Sequence, residues 1–322
     1  MVGATREIEV TRSERAESRF ALDMLAVEEP LEIRIEWTGE DRVRVTTVAI
    51  TMRTPGSDAE LAAGFLFTEG ILRDRNQIAD IRSCRSGSIR VVLTSGTSVD
   101  LSRLERHSYT TSSCGMCGKT SLAALRTAST FPLDAISPRV NAELIRTLPA
   151  LLRRAQLAFD ATGGIHASAL FDLGGGIRVI SEDVGRHNAL DKVIGCEWLA
   201  GNLPASERIL IVSGRVSFEL VQKAAMAGVP IMAAIGAPSS LAVELARELG
   251  MTLAGFVRPH RFNVYSGGER ILACHPERLA RHPERLARHP ERSEGSAFPS
   301  EPNLPTRMER GSTEPSSLRS SE

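Results

Sequence analysis

The 322-residue chain is poor in aromatics, which make up 4% of it, and it holds only five cysteines. An odd number of cysteines with one close pair, Cys114 and Cys117, makes no disulfide framework and points to a reducing compartment. Excess charge is absent too: 39 basic residues balance 39 acidic ones, so nothing calls for nucleic acid or an anionic membrane surface. A locally basic cleft remains compatible with that zero sum. No apolar run approaches the roughly 20 residues of a membrane helix. The best candidate, Val229 to Pro238, has strand length. Met1 to Asp23 lacks the apolar core of a signal peptide. These absences together lead to the expectation of a cytoplasmic protein. What is present is 42% hydrophobic residues, enough to build a core.

The C-terminal stretch repeats His275-Pro276-Glu277-Arg278-Leu279-Ala280-Arg281 from His282 and begins it again at His289. A proline in every repeat rules out a coiled coil, and residues 271–322 read as a disordered tail without a catalytic part. Upstream, the apolar run Arg208 to Ser213 suits a strand buried on both faces. Ser217 to Ala227 has helical periodicity, Pro230 to Ile235 is strand-like, and Ser239 caps a helix that Gly250 closes. Thr252 to Val257 adds a further strand, so this half predicts a parallel α/β layer. Ser168 to Leu173 and Ile177 to Ile180 flank three glycines as a hairpin, and a helix follows from Arg186 to Leu199. Asn141 to Phe159 reads as a helix kinked at Pro149. Leu31 to Ile35, Val43 to Met52 and Ile89 to Leu93 read as strands, with a helix from Ala59 to Phe67. The expected fold class is α/β, with a disordered N-terminus over 1–20 and a smaller α+β portion over 21–135. An α/β ligand-binding domain then spans 136–270.

Ser113-Cys114-Gly115-Met116-Cys117-Gly118-Lys119 follows a polar stretch, and a helix is expected to begin near Lys119. A thiol near a helix N-terminus has its thiolate stabilised by the dipole and by free N–H groups. Arg103, Arg106, His107 and Lys119 add positive charge nearby in sequence, and the two glycines leave room for a partner at the sulfur. Persulfide transfer, a dithiol redox pair, a structural zinc site and inert packing all remain open at this point. Zinc would need a second ligand pair, whereas Cys84, Cys196 and Cys274 stand alone; no metal site is expected. A thioredoxin-like pair would need a preceding strand.

Ser213-Gly214-Arg215-Val216-Ser217 and Gly236-Ala237-Pro238-Ser239-Ser240 each join a strand to a helix, where N–H groups can meet phosphate. An ordinary strand–helix turn explains either loop equally well. Phe256-Val257-Arg258-Pro259-His260-Arg261, running on to Tyr265, offers two arginines and aromatics that could clamp phosphates and stack a base. In the polar run Glu182 to Lys192, Asp183 reads as a helix cap and Asp191 and Lys192 as surface groups. His166, after two glycines, reads as structural more readily than as a ligand.

Taken in order, Phe67-Thr68-Glu69-Gly70-Ile71, the Cys114 segment, Gly163-Gly164-Ile165-His166-Ala167, Glu182 to Lys192, Val212 to Ser217 and Gly255 to Tyr265 resemble the formate dehydrogenase accessory sulfurtransferases, the FdhD/NarQ family. The resemblance implies a larger domain similar to cytidine deaminases without their zinc chemistry. It implies a sulfurtransferase that takes sulfur from a cysteine desulfurase and passes it to the molybdenum (or tungsten) bis-guanine-dinucleotide cofactor, Mo-bis-MGD, bound as a substrate. Formate dehydrogenase is the client. By position, Cys114 is implied as the persulfide carrier, with Cys117 in support and Phe256 to Arg261 as the cofactor-binding segment. A homodimer is implied as well. The rival reading is a chaperone that holds the cofactor without obligatory sulfur transfer.

Overall fold

The computed structural model describes residues 3–14, 17–39, 42–84, 87–97, 131–133 and 138–272. The described residues all belong to one compact unit. The chain opens with two strands, β1 (Thr5–Glu14) and β2 (Glu17–Ala26), paired antiparallel from Thr5↔Ala26 to Glu14↔Glu17. This hairpin corrects the expectation of disorder over 1–20. Charges sit on both faces of β1, so no alternation announced a strand; the cross-strand ladder supplies the order instead.

A four-stranded sheet follows, built from β3 (Glu29–Thr38), β4 (Val43–Arg53), β5 (Ile78–Cys84) and β6 (Ser88–Leu93) in the order β4-β3-β6-β5. Helix α1 (Asp58–Thr68) leaves β4, its start pinned by Arg53, whose Nε and Nη2 each donate to the Asp58 carboxylate at 2.9 Å. Leu31, Ile33, Ile35 and Val91 turn one face of this sheet into the main core cluster.

The short strand β7 (Val140–Asn141) leads into α2 (Ala142–Ala155), with Asn141 as N-cap accepting from Glu143 N. Pro149 lies inside this helix without ending it. The break comes at Gln156, whose backbone leaves the helical region, and α3 (Leu157–Thr162) follows. The large sheet contains β8 (His166–Asp172), β9 (Ile177–Asp183), β10 (Arg208–Val212), β11 (Ile231–Ala234), β12 (Thr252–Arg258) and β13 (Arg261–Ser266). Its order is β13-β12-β11-β10-β8-β9. The expected hairpin closes on Asp172, whose Oδ1 accepts from Gly174 N and Gly176 N, while Gly175 takes φ 88. Strand β14 (Ile271–Leu272) pairs with β7.

Helices α4 (Arg186–Leu199), α5 (Phe218–Met226) and α6 (Ser240–Glu248) share a core with one face of the large sheet, through Leu190, Leu220 and Leu245 against Leu210 and Val212. The other face meets α2, through Ile145, Leu148 and Leu152 against Ile209 and Ile211. Successive residues of β10 thus enter opposite clusters, which is why its sequence is apolar throughout. No helix among the described residues is long and apolar enough to cross a membrane.

The crossing of α1 and α4 depends on two glycines. A Cβ on Gly64 would overlap the Asp191 carbonyl, and one on Gly195 would overlap that of Glu60. Gly64→Ala should therefore push the helices apart and cost about 1–3 kcal/mol, read as a lower denaturation midpoint in urea. The same crossing overturns the surface reading of Asp191 and Lys192, which are only 2% and 3% exposed. Lys192 Nζ donates to Thr54 O at 2.7 Å and pairs with Asp183 at 2.7 Å. Asp191 accepts from Thr68 Oγ1 and Lys223 Nζ.

Candidate functional site

Strand direction collects the sequence segments at one end of the large sheet. Strands β10, β11 and β12 run parallel, so Val212, Ala234 and Arg258 finish on the same side. Strand β8 is antiparallel to both β10 and β9, so it begins there: Ser168 pairs with Val212, and His166 with Asp183. His166, the Asp183–His187 turn, Ser213 to Arg215, Gly236 and the β12–β13 connection therefore share one rim. This is the carboxyl end, where open α/β sheets take their ligands.

Hydrogen bonds lock the loops together. Ser213 N donates to Ala167 O, and Ser213 Oγ accepts from Ala167 N, both at 2.9 Å. Gly236 N donates to Gly214 O at 3.1 Å, and Phe256 N to Gly236 O at 3.0 Å. The first two loops approach so closely that a Cβ on Gly236 would stand 2.6 Å from Gly214 O. Only glycine fits there. The His166 ring lies over Gly214, leaving no room for a larger side chain without a shift.

Three helices begin at this rim. Ser239 Oγ caps α6 by accepting from Ala242 N at 3.2 Å. Gly185 and Ser217, the N-cap residues of α4 and α5, make no side-chain cap bond. The first-turn N–H groups and dipole of α4 are available to an anion, whereas at α5 the Glu219 carboxylate already takes its own backbone N–H. Arg186 stands in the first turn of α4, its Nε buried with no hydrogen-bond partner. An orphaned guanidinium N–H beside an uncapped helix start suits a phosphate. Asp183 does act as a cap of a kind: Oδ1 accepts from Gly185 N at 2.8 Å, and Oδ2 accepts from Thr54 N at 3.1 Å.

His187 Nε2 lies 3.3 Å from Ser217 Oγ and 3.9 Å from Glu219 Oε2. The interaction with His187, aided by Ser217, holds the Glu219 carboxyl down to about 2. Burial, together with Arg186 and His187 nearby, pushes the His166 imidazole below its ordinary value, so it is neutral near pH 7. The rim thus offers a neutral imidazole near the Arg186 guanidinium, with the ionised Glu219 carboxylate beside His187.

The β12–β13 segment is a hairpin, with Arg258 paired to Arg261. Phe256 holds φ 53, a left-handed backbone that a bulky residue adopts only under constraint, and its side chain is 41% exposed. Val257 is fully buried and offers a ligand no side chain. Arg258 Nη1 donates to Ile235 O and Val257 O, each at 2.8 Å, tying the hairpin to the end of β11. Pro259, His260 and Arg261 are exposed at the turn. Tyr265 packs beside Gly255, and Phe262 sits against the α2-side core, so Phe256 is the aromatic presented to solvent. Arg215 is exposed.

Cys114 and Cys117, with the helix expected near Lys119, lie outside the described residues. So does the tail from residue 273 onward. Sequence reasoning missed the joint role of Arg186, His187, Ser217 and Glu219. The signal was there in polar residues packed into the first turns of two adjacent helices.

A model of the FdhD/NarQ family matches residues 26–272. A sulfur carrier protein FdhD from Streptomyces avermitilis is 49% identical over 259 residues, 77% of this chain and 89% of that protein. One from Saccharolobus solfataricus is 40% identical over 266 residues, covering 83% and 98% respectively. A solved structure assigned as a formate dehydrogenase accessory protein from Desulfotalea psychrophila superposes with a TM-score of 0.65 at 26% identity. It covers 84% of this chain and 100% of that one. A family model that spans the four-stranded sheet, the six-stranded sheet and all of the rim, supported by relatives this similar, leaves one conclusion: the chain belongs to the FdhD/NarQ family.

Proposed function

We propose that this chain is a cytoplasmic sulfur carrier in formate dehydrogenase maturation. In this reading, the Cys114 thiolate attacks the outer sulfur of a cysteine desulfurase persulfide. The donor's S–S bond breaks, its thiolate leaves, and Cys114 holds the sulfur as a persulfide. Delivery to the substrate Mo-bis-MGD, with molybdenum or tungsten, breaks the new S–S bond: the outer sulfur passes to the substrate's metal centre, which would supply the two electrons that bring it to the sulfide level, and Cys114 leaves as the thiolate. Cys117 supports the exchange, and the protein works as a homodimer. The rim is read as the end of a cytidine-deaminase-like sheet adapted to hold the cofactor's guanine dinucleotide.

The observation that carries the ligand half of this reading is the start of α4, without a side-chain cap, beside the partnerless Arg186 Nε. A diphosphate satisfies these donors. The guanine is placed on Phe256, and Arg258 and Arg261 hold the hairpin and the phosphates. For the sulfur half, support comes from the Cys114 segment and from relatives named sulfur carrier proteins.

Two measurements test the two halves. After incubation with a desulfurase and cysteine, mass spectrometry should show a gain of about 32 Da on the peptide that holds Cys114. No gain there removes the carrier reading. GDP, a fragment of the cofactor, should bind at the rim, and Arg261→Ala and Arg258→Ala should each weaken it about tenfold, or about 1.4 kcal/mol. Unchanged GDP affinity in both variants removes the hairpin from the site.

A further inference from the structure

The hairpin of β1 and β2 belongs to neither larger sheet, and β2 has β1 on one side and no strand on the other. Its base packs on α3, and beyond Val10 and Ala21 every described residue of it is exposed, so its outer half forms an arm. A two-stranded ribbon on its own is marginal in water. This one also carries bare apolar side chains: Phe20 is 78% exposed and Leu22 62%. Strand β4 shows the same combination. It is an edge of the four-stranded sheet, and its Val43 and Val45 are 60% and 42% exposed. Neither edge carries the lysine or proline that commonly protects one.

The two edges match in backbone phase and in charge. Gly39 N donates to Arg42 O, so by the alternation of an antiparallel ladder Arg44 and Thr46 turn their backbone groups to β3. Val43, Val45 and Thr47 turn theirs outward. The hairpin pairing closes on Glu14↔Glu17 across two residues, and the same alternation makes Phe20, Leu22 and Met24 the outward residues of β2. Met24 N accordingly donates to the Asp23 carboxylate instead of to β1. When the two strands are laid antiparallel with Leu22 against Val45, the outward sets coincide: Phe20 meets Thr47 and Met24 meets Val43. Asp23, the one charge within Phe20–Met24, then stands opposite Arg44, the one charge within Val43–Thr47. Both are exposed, and neither has an ion pair among the described residues. The bulge at Val48, where Ala49 faces Ile33 but Thr47 faces Arg34, ends the straight part of the edge just past this overlap.

We propose that the hairpin is an exchange arm, its β2 adding through Phe20–Met24 to the Val43–Thr47 edge of a second copy of this chain. Within one chain β2 and β4 do not pair, and the complement of each edge lies on the same sequence. That selects a second copy as the partner. Each copy gives one arm and receives one, so the pair closes about a two-fold axis with neither edge left open. The proposal rests on the homodimer of the proposed function and names its interface, apart from the rim and from Cys114.

Sedimentation equilibrium of the full chain over a range of concentrations tests it. A dimer is expected, and Leu22→Glu, which would bury a charge among apolar groups, should weaken association at least about tenfold. Phe20→Glu serves the same purpose if that variant fails to fold. Asp23→Arg and Arg44→Asp each set like charges opposite one another in both halves of the dimer, so each should weaken it about tenfold. Both changes in one chain reverse the pair and should return the affinity to within about threefold of the parent. The proposal is overturned if the parent is a monomer throughout, if both glutamate variants dimerise as the parent does, if the single charge changes have no effect, or if the double change recovers nothing. The mass gain at Cys114 and GDP binding are read separately on the parent chain. Failure of the arm therefore leaves the carrier reading standing, and failure of that reading leaves the arm.

Discussion

Cys114→Ala should leave formate dehydrogenase at background activity in a strain that lacks its own copy of this protein, a loss of a hundredfold or more. A methyl group holds no sulfur, and the described cysteines are poorly placed to substitute. Cys196 lies on α4, where burial, with Glu197 and Glu60 beside it, pushes its thiol above the ordinary value. A thiol that resists ionisation is a poor nucleophile at neutral pH. Cys84 closes β5, its Sγ 3.8 Å from Arg82 O, on the small sheet rather than at the rim. Cys84→Ser and Cys196→Ser should accordingly keep most of the maturation activity. Full activity in Cys114→Ala would reduce the protein to a cofactor holder.

Lys223→Met should cost about 3–5 kcal/mol of folding stability, measured by urea denaturation. The Lys223 ammonium joins three helices: it donates to Thr68 Oγ1 at 2.8 Å, to Glu69 Oε1 at 3.1 Å, and to both Asp191 oxygens at 3.0 and 2.9 Å. Its side chain is 5% exposed and that of Asp191 2%. Removing the ammonium leaves the Asp191 carboxylate in a dry interior with Thr68 as its remaining side-chain donor. Adding Asp191→Leu should recover much of the loss, because the cost lies in the stranded charge rather than in the missing bond.

The same pair sets a pH limit. Burial opposes the Lys223 charge, but Asp191 and Glu69 outweigh it and raise the pKa above the ordinary 10.5. A raised folded pKa contributes stability that is full below 10.5 and is lost as pH climbs through the higher folded value. The native protein should therefore lose stability at strongly alkaline pH, and Lys223→Met should show a flatter profile there.

Much of the backbone was legible from local chemistry. Helix α4 begins and ends at Arg186 and Leu199 as its pattern indicates, and α6 carries its Ser239 cap and its left-handed Gly250. These signals are short-range and survive without tertiary context. The N-terminal hairpin was not legible, because charges on both faces hide the two-residue period. Asp191, Lys192 and Lys223 were misread or passed over for a related reason. A charged residue on a helix normally marks the solvent side, and here three helices meet around such residues.

The sequence by itself determined the mixed α/β character, most of the strands and helices between β3 and β12, the family, and the candidate cysteine. Each of these is written in local periodicity or in contiguous residues. Only the tertiary structure decided that α4 and α5 start at one rim, that Val257 turns inward while Phe256 is held outward, and that β2 and β4 both keep an unpaired edge. Those facts depend on strand direction and on helix crossings between residues far apart in the chain. No window of sequence contains both partners, so packing alone could bring them together.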